Sequence, residues 1–325
     1  MKIIVTGCAG FIGSRVCEML LDGGHQVIGL DNMNDAYDQK LKQYRLDKLL
    51  NTKSFEYYRS DISDLNTLTT IFDNHHDTDA VINLAARAGV RTSIEIPQEY
   101  FQTNVLGTVN VLELCRKHNI QKLVQASTSS LYGENTTPFS EDMNTDRTLS
   151  PYAASKKAAE NICYTYNKLY NTDISILRYF TVYGPAGRPD MSPFRFIRWI
   201  SEGEELVLYG DGEYERDFTY VDDIAEGTIM SLKKVDYEII NLGNNKPFKM
   251  NDLISEIENL TDMKADIVMK SEQQADVSAT CADIAKAKKV LGWEPKFDLR
   301  EGLKISVEWY KNNREFAKSI NIALN

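Results

Sequence analysis

Tyr152 and Lys156 are the two residues of this chain whose types and spacing are best suited to acid–base chemistry. They lie in the segment SPYAASKKAAEN, whose alanine content favours a helix. A spacing of four residues places both side chains on one face of that helix. A neighbouring ammonium group stabilises a phenolate, so we expect Lys156 to lower the pKa of Tyr152 from about 10 towards neutrality, as a general base requires. Taken alone, such a pair is more often an ordinary surface feature.

The segment KLVQASTSSLYG places hydroxyl groups where parallel sheets bind ligands. Its first half predicts a strand, and Thr128, Ser129 and Ser130 follow at the carboxyl end of that strand. Open α/β sheets bind their ligands at this end. A hydroxyl there can share a proton with the tyrosine and with a substrate. The alternative interpretation is an ordinary Ser/Thr turn.

A glycine-rich turn near the N-terminus predicts a dinucleotide site. In MKIIVTGCAGFIG, an apolar run is followed by Gly7, Gly10 and Gly13, a spacing that lets a helix N-terminus approach a pyrophosphate closely. The next predicted strand ends at Asp31, about 20 residues further on, where a carboxylate binds a ribose 2′-OH. Because this carboxylate repels a 2′-phosphate and no arginine follows it, we expect NAD rather than NADP. The alternative is a tight turn in an unrelated α/β protein.

Composition excludes several classes of protein. Of the 325 residues, 47 are acidic and 37 are basic, and the net charge of −10 argues against a nucleic-acid surface. No apolar stretch approaches the ~18 residues that span a membrane, so we expect no membrane association and a cytoplasmic location. The five cysteines are scattered, which favours buried reduced thiols. The four histidines lack ligand spacing, so we expect no metal site.

Strand-like and helix-like segments alternate through the first 180 residues, which implies βαβ units and a parallel sheet. After Gly184 the Gly/Pro-rich loop GPAGRPDMSP precedes a mixture of short strands, among them EIINLG, and helices. We therefore expect an α/β fold with a Rossmann-type doubly wound parallel sheet over residues 1–180. A smaller α/β lobe over residues 181–325 would bind mainly substrate, with some of its segments returning to the sheet.

The order of these motifs resembles the extended short-chain dehydrogenase/reductases, specifically the nucleotide-sugar epimerases and dehydratases. The resemblance covers nearly the whole chain and implies NAD, a UDP-sugar substrate and a homodimer. It implies that Tyr152 is the catalytic base, that Lys156 binds the nicotinamide ribose, and that Thr128 hydrogen-bonds the reacting hydroxyl. The cofactor-binding residues that it implies are Gly7, Gly10, Phe11, Ile12, Gly13, Asp31, Asn32, Asp61, Ile62, Leu84, Ala85, Ala86, Asn104, Tyr179 and Phe180.

Three segments are similar to those of UDP-glucuronate 4-epimerases: DNMNDAYDQKLKQYRLDKL, NLAARAGVRTS and RYFTVYGPAGRPDM. This resemblance implies 4-epimerisation of UDP-glucuronate to UDP-galacturonate through a 4-keto intermediate. It places Arg216 opposite the diphosphate and Asp276 at the uridine ribose. The substrate-binding residues that it implies are Ser129, Ser130, Thr181, Arg188, Arg216 and Asp276.

The motifs leave some other activities of this fold possible and argue against others. A 4-epimerase of neutral UDP-hexoses would use the same catalytic residues. A UDP-glucuronate decarboxylase is a further alternative, although related decarboxylating enzymes have Glu where Ser130 stands. Sugar 4,6-dehydratases have an Asp-Glu pair in place of Ser129 and Ser130. A protein that only binds NAD would not need a tuned tyrosine such as Tyr152.

Overall fold

The computed structural model describes residues 1–271 and 277–322. In this part of the chain the strands are β1 (Lys2–Thr6), β2 (Gln26–Asp31), β3 (Phe55–Arg59), β4 (Ala80–Asn83), β5 (Lys122–Thr128), β6 (Asp173–Tyr179), β7 (Thr181–Tyr183), β8 (Glu205–Tyr209), β9 (Glu215–Tyr220), β10 (Tyr237–Leu242), β11 (Pro247–Lys249) and β12 (Asp266–Lys270). The α-helices are α1 (Phe11–Asp22), α2 (Gln39–Leu50), α3 (Leu65–Asn74), α4 (Val90–Glu95), α5 (Pro97–Phe101), α6 (Gly107–Lys117), α7 (Pro151–Tyr170), α8 (Ser192–Glu202), α9 (Val221–Met230), α10 (Met250–Thr261), α11 (Ala285–Leu291), α12 (Leu299–Asn312) and α13 (Arg314–Lys318).

Seven strands of the described residues form one parallel sheet in the order β10-β6-β5-β4-β1-β2-β3. The first strand, β1, lies inside the sheet. The chain adds β2 and β3 on one side of it and then β4, β5, β6 and β10 on the other side. This arrangement confirms the predicted Rossmann-type doubly wound sheet. The strands β4, β5 and β6 are buried along their whole length because helices cover both faces of the sheet.

The two faces of this sheet carry separate apolar cores because successive side chains of a strand point to opposite faces. Along β1, Ile3 and Val5 belong to the cluster that includes Val16 of α1 and Ile224 of α9. Ile4 belongs to the cluster on the other face, which includes residues of α3, α6 and α7. The sheet is therefore a rigid central layer whose carboxyl edge can hold a site in place.

Strand β10 is the segment after residue 180 that returns to the large sheet. Its EIINLG motif was expected among the short strands of the lobe, but the strand pairs in parallel with β6, from Tyr237 opposite Ile174 to Leu242 opposite Tyr179. Its second half is fully buried. The domain ranges 1–180 and 181–325 stay a prediction.

The smaller part of the molecule contains two small sheets, with strand orders β11-β9-β7 and β12-β8 among the described residues. Its core joins side chains of α8, α10 and α12 to those of β8 and β9. Strand β7 begins two residues after β6 ends. Because of this short connection, the small part lies beside the carboxyl edge of the large sheet.

Within the residues that the structure describes, no helix combines the length and apolar character needed to cross a membrane. In the same ranges, no three His, Cys, Asp or Glu side chains come together as a metal site. Four of the five free cysteines are buried, and Cys281 is half-buried.

Candidate active site

An open cavity of about 360 Å³ lies at the carboxyl edge of the large sheet, next to the small lobe. This is the edge at which open parallel sheets bind ligands. The cavity brings together the glycine turn, the three hydroxyl residues after β5 and the tyrosine–lysine pair. Of the residues singled out from the sequence, its lining includes Gly7, Gly10, Phe11, Ile12, Gly13, Asp31, Asn32, Asp61, Ile62, Leu84, Ala85, Ala86, Thr128, Ser129, Ser130, Tyr152, Lys156, Tyr179, Phe180, Thr181 and Arg188.

Two other residues singled out from the sequence, Asn104 and Arg216, do not line the cavity, and a third cannot be placed. Asn104 is buried, and its amide bonds to the backbone N–H and carbonyl of Arg87, so it supports the loop after β4 from behind. Arg216 lies in β9 and donates to the carbonyl of Ser278 at 3.4 Å. Asp276 lies outside the described residues. The binding roles of all three stay predictions.

The glycine turn at one end of the cavity is built so that an anion can approach its backbone. Gly7 has a φ of +71°, a left-handed conformation that favours glycine. A Cβ atom at Gly13 would lie 2.1 Å from the Gly7 carbonyl oxygen, so only glycine fits there. Helix α1 starts at Phe11 without a side-chain cap, which leaves its first N–H groups and its positive dipole end for a phosphate.

Asp31 ends β2 beside this turn, and in the structure it pairs with a cation that no sequence motif indicated. The Asp31 carboxylate accepts from the N–H groups of Met33 at 2.8 Å and Ala9 at 3.2 Å. Lys42 of α2 is buried and lies 3.3 Å from the same carboxylate. Lys42 also donates to Asn34 at 2.9 Å. A ribose at this position would therefore meet both an acceptor and a donor.

Polar groups at the far end of the cavity fit the adenosine part of a dinucleotide. Asn32 donates to the Asp61 carboxylate at 2.7 Å. Burial raises the pKa of Asp61, but hydrogen bonds from Ser63 and Asn32 outweigh it, and the net pKa is lowered. The buried hydroxyl of Ser60 lines the cavity and has no hydrogen-bond partner in the structure. Buried hydroxyls are normally satisfied, so Ser60 fits a site that receives a polar ligand.

Helix α7 positions the tyrosine and lysine as their spacing predicts. Ser150 caps its N-terminus by accepting from the N–H of Ala153 at 3.2 Å, and Pro151 stands in its first turn. Tyr152 and Lys156 both line the cavity, one helical turn apart. The ring of Tyr152 is partly buried, and the side chain of Lys156 is almost completely buried.

The pKa of Tyr152 differs from the sequence-based expectation. Burial raises it above its ordinary value, while a hydrogen bond with Thr128 and the charge of Arg188 lower it. Burial also lowers the pKa of Lys156 to about 8, and the carboxylate of Glu160 raises it. The expectation that Lys156 lowers the Tyr152 pKa stays a prediction. In this structure burial of the phenol raises that pKa most, and Arg188 supplies the nearby charge that lowers it.

Thr128 lies at the end of β5, next to Tyr152. Its hydroxyl accepts from the Ser130 N–H at 3.2 Å and so caps the short 3₁₀ turn Ser129–Tyr132. It also donates to the Ser130 hydroxyl at 3.2 Å. This turn holds three hydroxyl groups against the cavity, as predicted from the sequence motif.

Arg188 comes from the loop after β7 and enters the cavity next to Tyr152. Its Nε and Nη2 atoms bind the two carboxylate oxygens of Asp190 at 3.0 and 2.5 Å. Its Nη2 atom also donates to the Ala88 carbonyl at 3.4 Å. Thr181 begins β7 and lines the same cavity. Arg188 was predicted from its sequence motif, whereas the pairing with Asp190 is seen only in the structure.

Comparison with known proteins identifies the family. Residues 3–243 match the NAD dependent epimerase/dehydratase family. A UDP-glucuronate 4-epimerase of Thermodesulfobacterium geofontis is 54% identical over 320 residues, which cover 98% of this chain and 99% of the relative. The crystal structure of Bacillus cereus UDP-glucuronic acid 4-epimerase in complex with UDP-glucuronic acid and NAD is 36% identical and has a TM-score of 0.89, covering 96% of this chain and 99% of that one.

A third similar protein is named for a neutral sugar substrate. The structure of Thermotoga maritima UDP-glucose 4-epimerase with UDP-glucose is 33% identical, covers 97% of this chain and all of that one, and has a TM-score of 0.89. The resemblance inferred from the motifs is thus confirmed at the level of sequence and of fold. The chain belongs to the NAD dependent epimerase/dehydratase family.

Proposed function

We propose that the protein is a UDP-glucuronate 4-epimerase that interconverts UDP-glucuronate and UDP-galacturonate. The observation that carries this proposal is the position of Arg188, whose charge lies close enough to Tyr152 to lower the pKa of its phenol. A cation beside the candidate base fits a sugar that carries a carboxylate on C5. The names of the Thermodesulfobacterium and Bacillus relatives support the same substrate.

NAD is the cofactor that the family implies, and it supplies a hydride acceptor and donor for the sugar C4. The residues described above fit it. The turn from Gly7 to Gly13 would hold the pyrophosphate, Asp31 and Lys42 the adenosine ribose, and the Asp61 region the adenine. Lys156, buried and carrying most of its charge below pH 8, would hold the second ribose.

The catalytic side chains then account for proton movement. Tyr152 removes the proton of the sugar 4-OH as C4 is oxidised, and Thr128 shares a hydrogen bond with the same oxygen. The resulting 4-keto sugar rotates about its diphosphate linkage. When the opposite face of the ketone is reduced, Tyr152 returns the proton. No net oxidation occurs, and the configuration at C4 is inverted.

We assign the recognition of the sugar carboxylate to Arg188, with Thr181 beside it. The Arg188→Ala change should lower kcat/KM for UDP-glucuronate at least tenfold more than for UDP-glucose, because losing a charge-assisted hydrogen bond costs roughly 1.5–3 kcal/mol. Steady-state kinetics with both sugars measures this. Arg198→Ala is the matched control, since Arg198 is bonded to the Ile320 carbonyl and does not line the cavity. An equal loss with both sugars would remove Arg188 from this role.

A 4-epimerase of neutral UDP-hexoses is the second candidate, and one contact favours it. Asp190 already occupies the Nε and Nη2 edge of Arg188, so the charge of this guanidinium is balanced without a substrate. A balanced pair tolerates a neutral sugar better than a bare cation would. A kcat/KM for UDP-glucose above that for UDP-glucuronate would select this function.

The test of the proposed function is NMR of ¹³C-labelled UDP-glucuronate incubated with the NAD-loaded protein and no added reductant. We expect UDP-galacturonate, with little UDP-pentose or labelled bicarbonate. A 4-keto-pentose with bicarbonate as the main products would make the protein a decarboxylase instead. Tyr152→Phe is the control variant and should lower turnover by a factor on the order of 10² while NAD stays bound.

We further propose that the protein is a homodimer joined through α5, α6 and α7. Several large apolar side chains on these helices and on the connecting π-helical stretch Gln102–Leu106 are exposed: Phe101, Leu106, Tyr164, Leu169 and Tyr170. Contiguous exposed apolar groups are typical of protein interfaces. Light scattering coupled to size-exclusion chromatography should give twice the chain mass of 36.9 kDa, and a mass of one chain at micromolar concentration would contradict the proposal.

A further inference from the structure

Arg45 of α2 is a buried arginine that forms no ion pair with any of the described residues. Its side chain is 3% exposed, and it donates five hydrogen bonds to uncharged oxygen atoms. Two go to the Ala186 carbonyl at 2.6 and 3.1 Å and one to the Gly187 carbonyl at 3.2 Å. The remaining two go to the Ala9 carbonyl at 3.3 Å and to the Tyr37 hydroxyl at 2.7 Å.

The acceptors of Arg45 belong to three separate segments of the site. Ala9 lies inside the glycine turn, Tyr37 lies in the loop after β2, and Ala186 lies in the loop that carries Arg188. Ala186 has a φ of +50°, which is strained for a residue with a side chain. Two bonds from one guanidinium to its carbonyl hold that conformation, and Arg188 follows two residues later. The position of the Arg188 backbone is therefore fixed from the cofactor side of the cavity.

Tyr37 connects the same two sides through its ring. The guanidinium of Arg45 lies 5.5 Å from the ring centroid, and that of Arg188 lies 5.8 Å from it. Lys42, the partner of Asp31, lies 5.6 Å from the same centroid. The ring thus contacts the candidate ribose-binding lysine and the candidate carboxylate-binding arginine at once.

We infer that Arg45 is a positioning residue for carboxylate recognition, which holds the loop of Arg188 against the glycine turn and so sets the preference for a UDP-uronate over a neutral UDP-hexose. This inference rests on the proposed function. Arg45 itself lies outside the cavity lining and touches neither substrate nor cofactor in this role. A lysine cannot replace it, because one ammonium cannot reach the acceptors of all three segments as a planar guanidinium does.

The test uses the NAD-loaded full chain with Tyr152→Phe as background, which blocks turnover so that calorimetry measures binding. The Kd values for UDP-glucuronate, UDP-glucose and UDP are compared with and without Arg45→Lys. We expect the preference for UDP-glucuronate over UDP-glucose to fall about tenfold, the effect of losing one well-placed charged contact. The Kd for UDP, the NAD content and the melting temperature should change little.

A double-mutant cycle separates positioning from a general effect on the fold. In an Arg188→Ala background, Arg45→Lys should leave the remaining preference unchanged, since the group that it positions is gone. Lys48→Gln is the matched control, because it removes a cation one turn further along α2 that lies over the Tyr44 ring. The same loss of preference with and without Arg188, or no loss at all, would overturn the inference.

Tyr37→Phe keeps the inference testable if Arg45→Lys does not fold. It removes the hydroxyl that accepts from Arg45 but keeps the ring beside Arg188, so it should lower the same preference by a smaller factor, about threefold. An unchanged preference in this variant would count against the inference. If the parent protein itself shows no preference for UDP-glucuronate, the proposed function fails, whatever Arg45 does.

Discussion

Asp31 and Lys42 form a buried ion pair at the end of β2 where a cofactor ribose is expected. The carboxylate disfavours a 2′-phosphate, but the ammonium beside it would attract one. Removing the carboxylate alone therefore changes two properties together. It deletes the acceptor for a 2′-OH, and it releases Lys42 to pair with a phosphate.

Asp31→Ala is predicted to weaken NAD binding and to raise the affinity for NADP. The loss for NAD should be about tenfold, since a hydrogen bond to a charged group contributes roughly 1.5 kcal/mol or more. Calorimetric titration of cofactor-free protein with both cofactors measures the change. In the double variant Asp31→Ala with Lys42→Met, the gain for NADP should disappear. An unmodified protein that binds NADP as tightly as NAD would contradict the role of Asp31.

The sequence identified those residues of the site that belong to local patterns. Gly7 and Gly13 were found from their spacing within one turn, and Tyr152 and Lys156 from theirs within one helix. Lys42 and Arg45 were missed because their acceptors depend on tertiary folding. The Arg45 side chain, for example, meets the Ala186 carbonyl 141 positions further along the chain. The spacing of residues within one segment does not reveal such a contact.

Helix α7 connects Lys156 to a buried ion pair behind the candidate site. Glu160 follows Lys156 by one turn and binds Arg178 of β6 through two hydrogen bonds of 3.0 and 2.9 Å. Glu160 also accepts from the hydroxyl of Ser127, the residue before Thr128, at 2.6 Å. One carboxylate therefore connects the helix that carries the tyrosine to the strand that carries the threonine.

Glu160→Gln is predicted to shift the alkaline limb of the activity profile to lower pH. The pKa of Lys156 is about 8, lowered by burial and raised by the charge of Glu160. Lysine is charged below its pKa, so activity that needs this cation should fall above pH 8 in the parent protein. Without the carboxylate the pKa of Lys156 drops further, and the fall should begin about one pH unit earlier.

The measurement is kcat/KM for UDP-glucuronate between pH 6 and 10. Glutamine keeps hydrogen-bonding atoms beside Arg178, so the variant avoids leaving that arginine wholly without an acceptor. Glu213→Gln is the control, since Glu213 pairs with Lys249 on the exposed surface, away from α7. Superimposable profiles for the parent and Glu160→Gln would show that Glu160 does not set the charge of Lys156.

Most elements could be predicted because their apolar periods are strong, but two regions differ. The segment between β4 and β5 is divided into the short helices α4 and α5, a π-helical stretch and α6. Pro97 starts α5 because proline fits a first helical turn. The π-helical stretch packs against α7, and β10 pairs with β6. The periodicity of apolar residues within a segment does not predict these contacts with other elements.

Asp217 connects the small lobe to the large sheet. It is fully buried in β9 and accepts from the N–H groups of Asn244 at 2.6 Å and Asn245 at 3.0 Å, in the loop that follows β10. It also accepts from the N–H of Ala282 at 2.9 Å, in the segment before α11. Three distant parts of the chain therefore meet at one carboxyl group.

The stability of this junction should depend on pH. Burial raises the pKa of Asp217 to about 6, above the value of about 3.9 for an unfolded chain. Since the folded state holds this proton more tightly, the contribution of Asp217 to stability is complete below pH 4 and is lost as the pH rises to 6 and above. The shift of about 2 units corresponds to a loss of up to about 3 kcal/mol.

Asp217→Asn tests this dependence because asparagine is uncharged at every pH. The free energy of unfolding of the variant relative to the parent should rise by up to about 3 kcal/mol between pH 4 and pH 6.5 and stay constant above that, whatever the offset from altered hydrogen bonds. Urea unfolding at a series of pH values measures it. Asp262→Asn, at the exposed end of α10, is the control. A relative stability that is flat over this range would show that Asp217 is ionised alike in the folded and unfolded chain, and that the charge of the junction is neutralised by its backbone donors alone.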